Sequence, residues 1–253
     1  MESYLSSIIN LFAPPTCCAC SRTLPQSMEF MCPHCRWDMP VTSFWKDPEN
    51  KVAQKFWGLV PIESACSYFL FRQGSNFQTA IHNLKYRGYW KTCIEFGAMF
   101  GAELVGCPPY DSVDLIIPVP LHRLKLLSRG YNQSEYIAKG LAKAMNLSIE
   151  TNNLVRHKNN KAQARSKFKH LRWSNVNNIF KLKHPGRLAG KHILLVDDVL
   201  TTGATLCSCA QTIVNAVPDC RISIVTLSVS DYELNRKISF STTQSSIKDG
   251  RKR

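Results

Sequence analysis

The sequence predicts an α/β fold in which a mostly parallel sheet carries helices on both faces, preceded by a small cysteine-rich module. Apolar strands alternate with helical segments along most of the chain, as expected of a parallel sheet with helical crossovers. Two of these strands, VDLIIPVP (113–120) and HILLVDDV (192–199), are of the apolar type that is buried on both faces. Two Cys-x-x-Cys pairs lie within the first 35 residues, which indicates a local metal site.

The individual elements follow from residue periodicity and from the positions of glycine and proline. Strands are predicted at 66–72, 113–120, 192–199 and 221–229. Helices are predicted at 1–13, 76–86, 92–105, 132–146 and 204–217. The expected organisation is an N-terminal helix with a metal module at 1–45, a linker at 46–64, an α/β domain at 65–232 and a basic, disordered tail at 233–253.

Composition narrows the class of protein and of partner. The 253-residue chain is 44% hydrophobic and 20% charged, which is ordinary for a globular protein. Its 32 Lys and Arg against 18 Asp and Glu give a net charge of +14, which favours an anionic partner.

No segment approaches the ~18 consecutive apolar residues of a membrane span. The N-terminal segment also lacks the basic residues that begin a signal peptide, so the cytoplasm is the expected compartment.

The most informative segment is LLVDDVLTTGAT, residues 194–205. A parallel strand delivers Asp197 and Asp198 to the edge of the sheet where α/β proteins bind ligands. Gly203 permits a tight loop, and the following helix offers free N–H groups to a phosphate. The carboxylates can bind sugar hydroxyls or hold Mg²⁺ through water. A strand–turn–helix junction without a ligand would also use such residues, but the complete ordered string favours a phosphate and ribose site.

This string resembles the signature of the type I phosphoribosyltransferases: an apolar strand, two acids, two apolar residues and a short Thr/Gly loop. The resemblance implies that Asp197 and Asp198 are the catalytic residues and contact the ribose hydroxyls of phosphoribosyl diphosphate (PRPP). It also implies that the 5′-phosphate lies in the loop of Thr201, Thr202, Gly203, Ala204 and Thr205. Purine-salvage members often carry an Asp base at the first loop position, where this chain has Thr201. A 6-oxopurine acceptor is therefore not expected.

Further segments extend the resemblance: IHNLKYRGYW (81–90), PVPLHRLKLLSRGYNQSEYIA (118–138) and LVRHKNNKAQARSKFKHLRWSNVNNIF (154–180). With the two cysteine pairs, they make the chain similar to the ComF family of competence-associated, phosphoribosyltransferase-like proteins over residues 14–230. The resemblance implies binding of PRPP with Mg²⁺ in a protein associated with DNA uptake and natural transformation. It leaves open whether the phosphoribosyl group is transferred to an acceptor.

The resemblance assigns the pyrophosphate of PRPP to the segment of Lys85, Tyr86, Arg87 and Gly88. Cationic side chains and backbone N–H groups suit that charge, although a basic segment at this place also complements the dipole of the preceding helix. The resemblance assigns no specific role to the signature at 129–133, which also fits a turn and a helix cap. Candidate contacts for an anion or a nucleic acid in this region are Arg123 and Arg129.

The predicted structural zinc ligands form two pairs separated by 11 residues: Cys17, Cys20, Cys32 and Cys35. Four thiolates can surround one Zn²⁺, and zinc would stabilise a module too small to fold unaided. Cys18 and His34 are conceivable substitute ligands. Redox chemistry at the second pair is the alternative, but such a motif normally follows a strand and opens a helix, a setting that the neighbouring residues do not supply.

Residues 151–196 contain 11 Lys or Arg, four His and no Asp or Glu, with aromatic residues between them. Such a stretch fits a single-stranded nucleic acid and equally fits a basic flap over a polyphosphate site. The alternative function is thus a non-catalytic, single-stranded DNA-binding module of the transformation machinery, with a regulatory or vestigial PRPP site. Its candidate contacts are Lys167, Lys169 and Arg172.

Overall fold

The computed structural model describes residues 14–25, 28, 30–86, 88–157 and 179–235. The helix predicted at 1–13 lies outside these residues, as do Arg87, residues 158–178 of the basic stretch and the predicted tail from residue 236 onward.

The four predicted strands of the α/β domain and its four predicted helices are all present, with small differences in their bounds. The helices are α1 (Pro33–Trp37), α2 (Asn76–Asn83), α3 (Trp90–Leu104), α4 (Arg123–Arg129), α5 (Gln133–Met145), α6 (Ala204–Ala216) and α7 (Asp231–Asn235). The strands are β1 (Ser64–Phe71), β2 (Leu115–Pro118), β3 (Ser148–Ile149), β4 (Leu154–Arg156), β5 (Phe180–Leu182), β6 (His192–Leu200) and β7 (Arg221–Ser230). None of the helices in this described part of the chain combines the length and apolar character needed to span a bilayer.

Strands β1, β7, β6, β2 and β3 form, in that order, a sheet in which every pairing is parallel. β6 is central and pairs with β7 on one side and β2 on the other. From β2 the chain continues to β3, toward one edge of the sheet, and from β6 it continues to β7, toward the opposite edge. The carboxyl ends of β2 and β6 therefore flank the point where the strand order reverses, which is where open α/β sheets bind ligands.

Alternate residues of the central strands point into two separate cores. Ile116, Leu194 and Val196 pack with α2, α3 and α5, whereas Leu115 and Ile193 pack with α6 and with the antiparallel hairpin of β4 and β5. The predicted α/β fold with helices on both faces is therefore confirmed. Because both faces of the sheet are covered, β2 and residues 193–196 of β6 are apolar without interruption.

The sequence does not predict α4 or the β4–β5 hairpin. α4 buries none of its residues, so no buried apolar stripe marks it as a helix. Each strand of the hairpin is three residues long, and residues 157–179 separate the two in the sequence. No local pattern can connect strands that are so short and so far apart.

Residues 50–56, within the predicted linker, contribute to the core that contains α6. Val52, Ala53 and Phe56 are buried. Asn50 Nδ2 donates to the carbonyl of Ala65 (2.8 Å), and Asn50 Oδ1 accepts from the N–H of Val52 (2.9 Å). The connection between the cysteine module and the sheet is therefore packed against the α/β domain, beside the first sheet strand.

Glycines allow α3 and α5 to cross in close contact. A Cβ added to Gly97 would lie 2.2 Å from the carbonyl oxygen of Ile137, and a Cβ on Gly140 would lie 2.0 Å from that of Ile94. These separations are far below the van der Waals distance, so only glycine permits the crossing. The crossing fixes the position of α5, whose N-terminus lies at the carboxyl end of β2.

Gly140→Ala should lower the free energy of unfolding by about 2 kcal/mol or more. Overpacking against backbone costs about 3 kcal/mol or more, which exceeds the helix-propensity gain of about 1 kcal/mol. Urea denaturation followed by circular dichroism measures the change. Gly186→Ala is the matched control, because nothing lies within 4 Å of its added Cβ and its effect should stay within about 0.5 kcal/mol. Equal unfolding free energies for the two variants would contradict the close crossing.

Candidate functional site

Two adjacent carboxylates, Asp197 and Asp198, lie near the carboxyl end of β6, just beyond its last pairing with β2. Asp197 Oδ1 accepts hydrogen bonds from the Ser134 hydroxyl (2.8 Å) and from the backbone N–H of Asp198 (2.9 Å). Asp198 Oδ1 accepts one from the N–H of Val199 (2.7 Å). Both side chains are half-buried, so the fold orients them while a ligand can still reach them.

The surroundings raise the pKa of Asp197 to about 7. Burial is the main cause and the neighbouring Asp198 charge adds to it, whereas the hydrogen bonds from Ser134 and Asp198 and the charge of Arg156 lower the pKa. A half-buried carboxylate beside a second carboxylate is a favourable place for a cation or for hydroxyl donors. This donor set fits a hydrated Mg²⁺ ion and the diol of a sugar.

The loop after β6 presents hydroxyls and backbone N–H groups at the start of α6. Gly203 precedes the helix with a φ of +77°, a left-handed conformation that favours glycine. Its space is also limited, because an added Cβ would lie 3.4 Å from Phe56 Cε1. The side chains of Thr201, Thr202 and Thr205 are exposed. Helix N–H groups and nearby hydroxyls suit a phosphate group.

The segment with predicted pyrophosphate contacts follows α2. Lys85 is half-buried, Tyr86 is exposed and Gly88 adopts a φ of +99°, whereas Arg87 lies outside the described residues. The Tyr131 hydroxyl donates a hydrogen bond to the carbonyl oxygen of Tyr86 (3.0 Å). The segment is therefore attached to the turn that leads into α5, the same helix that contacts the carboxylates.

Arg156 belongs to the site region but is not predicted from the sequence. Its positive charge lowers the pKa of Asp197, and its guanidinium carbon lies 5.6 Å from the centre of the Phe180 ring. Its Nε is buried and has no hydrogen-bond partner among the described residues. The β4–β5 hairpin places this side chain, so a local sequence pattern could not identify it.

Two of the other predicted basic contacts, Arg123 and Arg129, are the first and last residues of α4. Arg123 is exposed on α4, and Arg129 Nη1 donates to Gln133 Oε1 (3.0 Å). The remaining three lie outside the described residues: Lys167, Lys169 and Arg172.

The predicted metal ligands converge on one point, with all four Sγ atoms within 4.8 Å of one another: Cys17, Cys20, Cys32 and Cys35. Cys20 Sγ and Cys32 Sγ are 3.8 Å apart, which is the separation of two sulfurs at opposite ends of a tetrahedral edge with Zn–S bonds of about 2.3 Å. The N–H of Cys32 is directed at Cys17 Sγ (3.4 Å) and that of Cys35 at Cys32 Sγ (3.5 Å). The cluster can therefore bind zinc.

The cysteine module packs on the face of the sheet covered by α2 and α3. Phe30 meets the Phe96 ring edge-to-face with centroids 5.6 Å apart, and Asn83 Nδ2 donates to the carbonyl of Cys18 (3.2 Å). The cluster itself includes neither Cys18 nor His34. Within the described part of the module, α1 has only five residues, so the module depends on its cysteines and on this contact for stability.

Residues 132–250 match the phosphoribosyl transferase domain family. The match begins at the residue before α5 and includes both carboxylates and the loop that follows them. Together with the parallel sheet, it shows that the chain has a fold of the phosphoribosyltransferase type.

Two curated proteins that are similar to this chain indicate a narrower group within the phosphoribosyltransferase-type proteins. The chain is 34% identical over 100 residues to DNA utilization protein YhgH of Escherichia coli K12, a match that covers 39% of this chain and 42% of that protein. It is 33% identical over 94 residues to Competence protein F of Haemophilus influenzae, covering 37% and 41%. The matches thus span about two fifths of the length of these relatives. They confirm the resemblance to the ComF family that the sequence predicts.

Similar solved structures include a hypoxanthine phosphoribosyltransferase from Staphylococcus aureus, with 18% identity, a TM-score of 0.37, and coverage of 60% of this chain and 71% of that one. A glutamine PRPP amidotransferase from B. subtilis has 16% identity and a TM-score of 0.38, with coverage of 57% and 30%. Neither similarity bears on the substrate of this chain.

The protein should hold one zinc ion per chain, and Cys32→Ser should lose it, because the variant removes one of the four thiolates in the cluster. The variant should also unfold several degrees lower, since metal binding contributes to folding. Zinc is measured by plasma mass spectrometry and unfolding by calorimetry. Cys107→Ser, at a half-buried cysteine outside the cluster, is the control and should retain zinc. Full zinc content in Cys32→Ser would contradict the four-cysteine site.

Proposed function

We propose that the chain binds PRPP together with Mg²⁺ in the crevice between β6 and β2, and that the site is suited to transfer of the phosphoribosyl group to an acceptor. The observation that carries this proposal is the pair of half-buried carboxylates, Asp197 and Asp198, at the reversal of strand order. They lie directly before a loop that opens the 13-residue helix α6. One strand end thus supplies acceptors for ribose hydroxyls and donors for a phosphate.

In the proposed complex, the 5′-phosphate lies in the loop of residues 201–205 and accepts hydrogen bonds from its N–H groups and threonine hydroxyls. The ribose hydroxyls donate to Asp197 and Asp198. The pyrophosphate extends toward residues 85–88, where Lys85 supplies a positive charge. The Tyr131 bond to the carbonyl of Tyr86 supports this arrangement, because it attaches that segment to the turn preceding α5.

The chemistry of this site is displacement at C1 of the ribose. A nucleophilic atom of the acceptor forms a bond to C1 while the bond from C1 to the pyrophosphate oxygen breaks, and the electron pair leaves with pyrophosphate. Positive charge develops on the ribose ring, beside the carboxylates, and negative charge develops on the leaving group, beside Lys85. Preorganised charges of this kind stabilise the transition state. Bound Mg²⁺ would supply charge neutralisation of the pyrophosphate.

Asp198→Asn should weaken binding of PRPP by about tenfold or more, because it removes a negative charge that accepts hydrogen bonds from the ligand and favours the cation. Isothermal titration calorimetry in the presence of Mg²⁺ measures the affinity. Asp219→Asn is the matched control, since Asp219 is exposed in the turn before β7, at the other end of the sheet. Absence of PRPP binding by the unmodified protein, or equal affinities for the two variants, would contradict the proposed site.

The names of the relatives, DNA utilization protein and Competence protein F, favour a second candidate function. We propose that this chain is a non-catalytic module that binds single-stranded DNA during DNA uptake, with a PRPP site that is regulatory or vestigial. The net charge of +14 and the stretch 151–196, with 11 Lys or Arg and no acidic residue, support this proposal.

Replacing Lys167, Lys169 and Arg172 together by Gln should weaken binding of an oligothymidine. It should also reduce the slope of log affinity against log salt concentration by about 2, because each lost phosphate contact contributes roughly 0.7 for single strands. Fluorescence anisotropy over a salt series measures both quantities. A control with the same charge loss replaces three exposed lysines elsewhere: Lys46, Lys51 and Lys143. An equal reduction in both triple variants would show that only net charge matters and would overturn the assigned contacts.

A further inference from the structure

One short segment, residues 129–134, contacts three separate parts of the proposed site. It joins α4 to α5 and contains the turn of Gly130, which adopts a φ of +85°. Its side chains reach the end of β2, the carboxylate pair and residues 85–88, for which we propose contacts to pyrophosphate and which we call the pyrophosphate segment. These three parts come from distant regions of the sequence, so the segment is a common point of attachment for them.

Tyr131 makes the contact to the pyrophosphate segment. Its hydroxyl donates to the carbonyl oxygens of Leu84 and Tyr86, and its ring packs edge-to-face on Tyr136 with centroids 5.4 Å apart. Burial raises the pKa of the Tyr131 hydroxyl, so the group keeps its proton and remains a donor. Because a hydroxyl has a single hydrogen, the two carbonyls share it, and both must face Tyr131.

Ser134 and Asn132 make the other two contacts. The Ser134 hydroxyl, which is buried in the first turn of α5, donates to Asp197 Oδ1 (2.8 Å). Asn132 Nδ2 donates to the carbonyl of Val119, directly after β2 (3.1 Å). The segment is thus fixed to the sheet while it holds the carboxylate through a buried donor.

The helix that carries these contacts cannot slide, because Gly97 and Gly140 hold α5 against α3 at backbone contact distance. Tyr131 and Ser134 are three residues apart, at the entry to this helix. The distance between the backbone carbonyls that Tyr131 holds and the carboxylate that Ser134 holds is therefore set by three residues of the chain.

The geometry points to segment 129–134 as the element that sets the distance between the pyrophosphate segment and the carboxylate pair, with Tyr131 and Ser134 as positioning residues. This inference rests on the proposed function, since PRPP is the ligand that spans both parts of the site. Ribose and pyrophosphate are joined at the C1–O bond that breaks in the proposed reaction. A misplacement of about 1 Å between their binding groups is costly for such a reaction.

Two single-atom deletions, Tyr131→Phe and Ser134→Ala, test the inference in the full-length, zinc-loaded protein. Calorimetry with Mg²⁺ measures affinities for PRPP, for inorganic pyrophosphate and for ribose 5-phosphate. Tyr131→Phe should weaken pyrophosphate and PRPP about three- to tenfold, as expected for one hydrogen bond, and should leave ribose 5-phosphate within about twofold. Ser134→Ala should weaken ribose 5-phosphate and PRPP by a similar factor and leave pyrophosphate unchanged.

Tyr110→Phe is the matched control, because Tyr110 is also buried and its hydroxyl bonds to Ser64 and Cys66 rather than to the site. It should change the unfolding temperature but none of the three affinities. A merely structural role for Tyr131 and Ser134 would weaken both fragments equally, and that result, or unchanged affinities, would overturn the inference. If one of the two variants does not fold, the other still tests the inference. The affinity for pyrophosphate decides for Tyr131→Phe, and the affinity for ribose 5-phosphate decides for Ser134→Ala. An unmodified protein that binds no probe would instead overturn the proposed function and, with it, this inference.

Discussion

The placement of two adjacent carboxylates at the end of the central strand is the constraint on which the rest of the site depends. β6 is paired on both sides and covered on both faces, so its end has a fixed position. There burial, and after it the charge of the adjacent Asp198, raises the pKa of Asp197 to about 7. Such a pair is unfavourable on its own. It becomes favourable with hydroxyl donors, a cation and the nearby Arg156, and these are the groups that the protein and the proposed ligand supply.

The parts of the fold and site that the sequence predicts are those that local patterns encode. The apolar strand, the acid pair and the glycine loop are contiguous, and the cysteine pairs are separated by only 11 residues. Contacts between distant segments leave no such pattern. Tyr131 reaches a carbonyl 47 residues earlier in the chain, and Arg156 approaches Asp197 only because a hairpin forms across residues 157–179. The sequence contains a recognisable signature at 129–133, but the role of these residues depends on contact partners that only the structure identifies.

The cysteine module is connected to the proposed ligand site through α2. Asn83, the last residue of that helix, donates to the carbonyl of Cys18, and Lys85 follows two residues later. Phe30 also packs against Phe96 on the neighbouring α3. The cysteine cluster therefore supports the start of the pyrophosphate segment from one side, while Tyr131 holds it from the other. The segment for which we propose pyrophosphate binding thus gains defined backbone geometry from both attachments.

In the proposed site, the residues that orient the binding groups differ from the residues that would contact the ligand. Ser134 and Tyr131 are buried and direct their hydroxyls at a carboxylate and at backbone carbonyls, whereas Tyr86 and Thr201 are exposed. A buried donor cannot be displaced easily by water, so it keeps its partner in one orientation before the ligand arrives. Exposed loop residues can then adapt to phosphate groups without moving the carboxylates. The proposed ribose and phosphate site therefore does not depend on the residue at the first loop position, where this chain has Thr201.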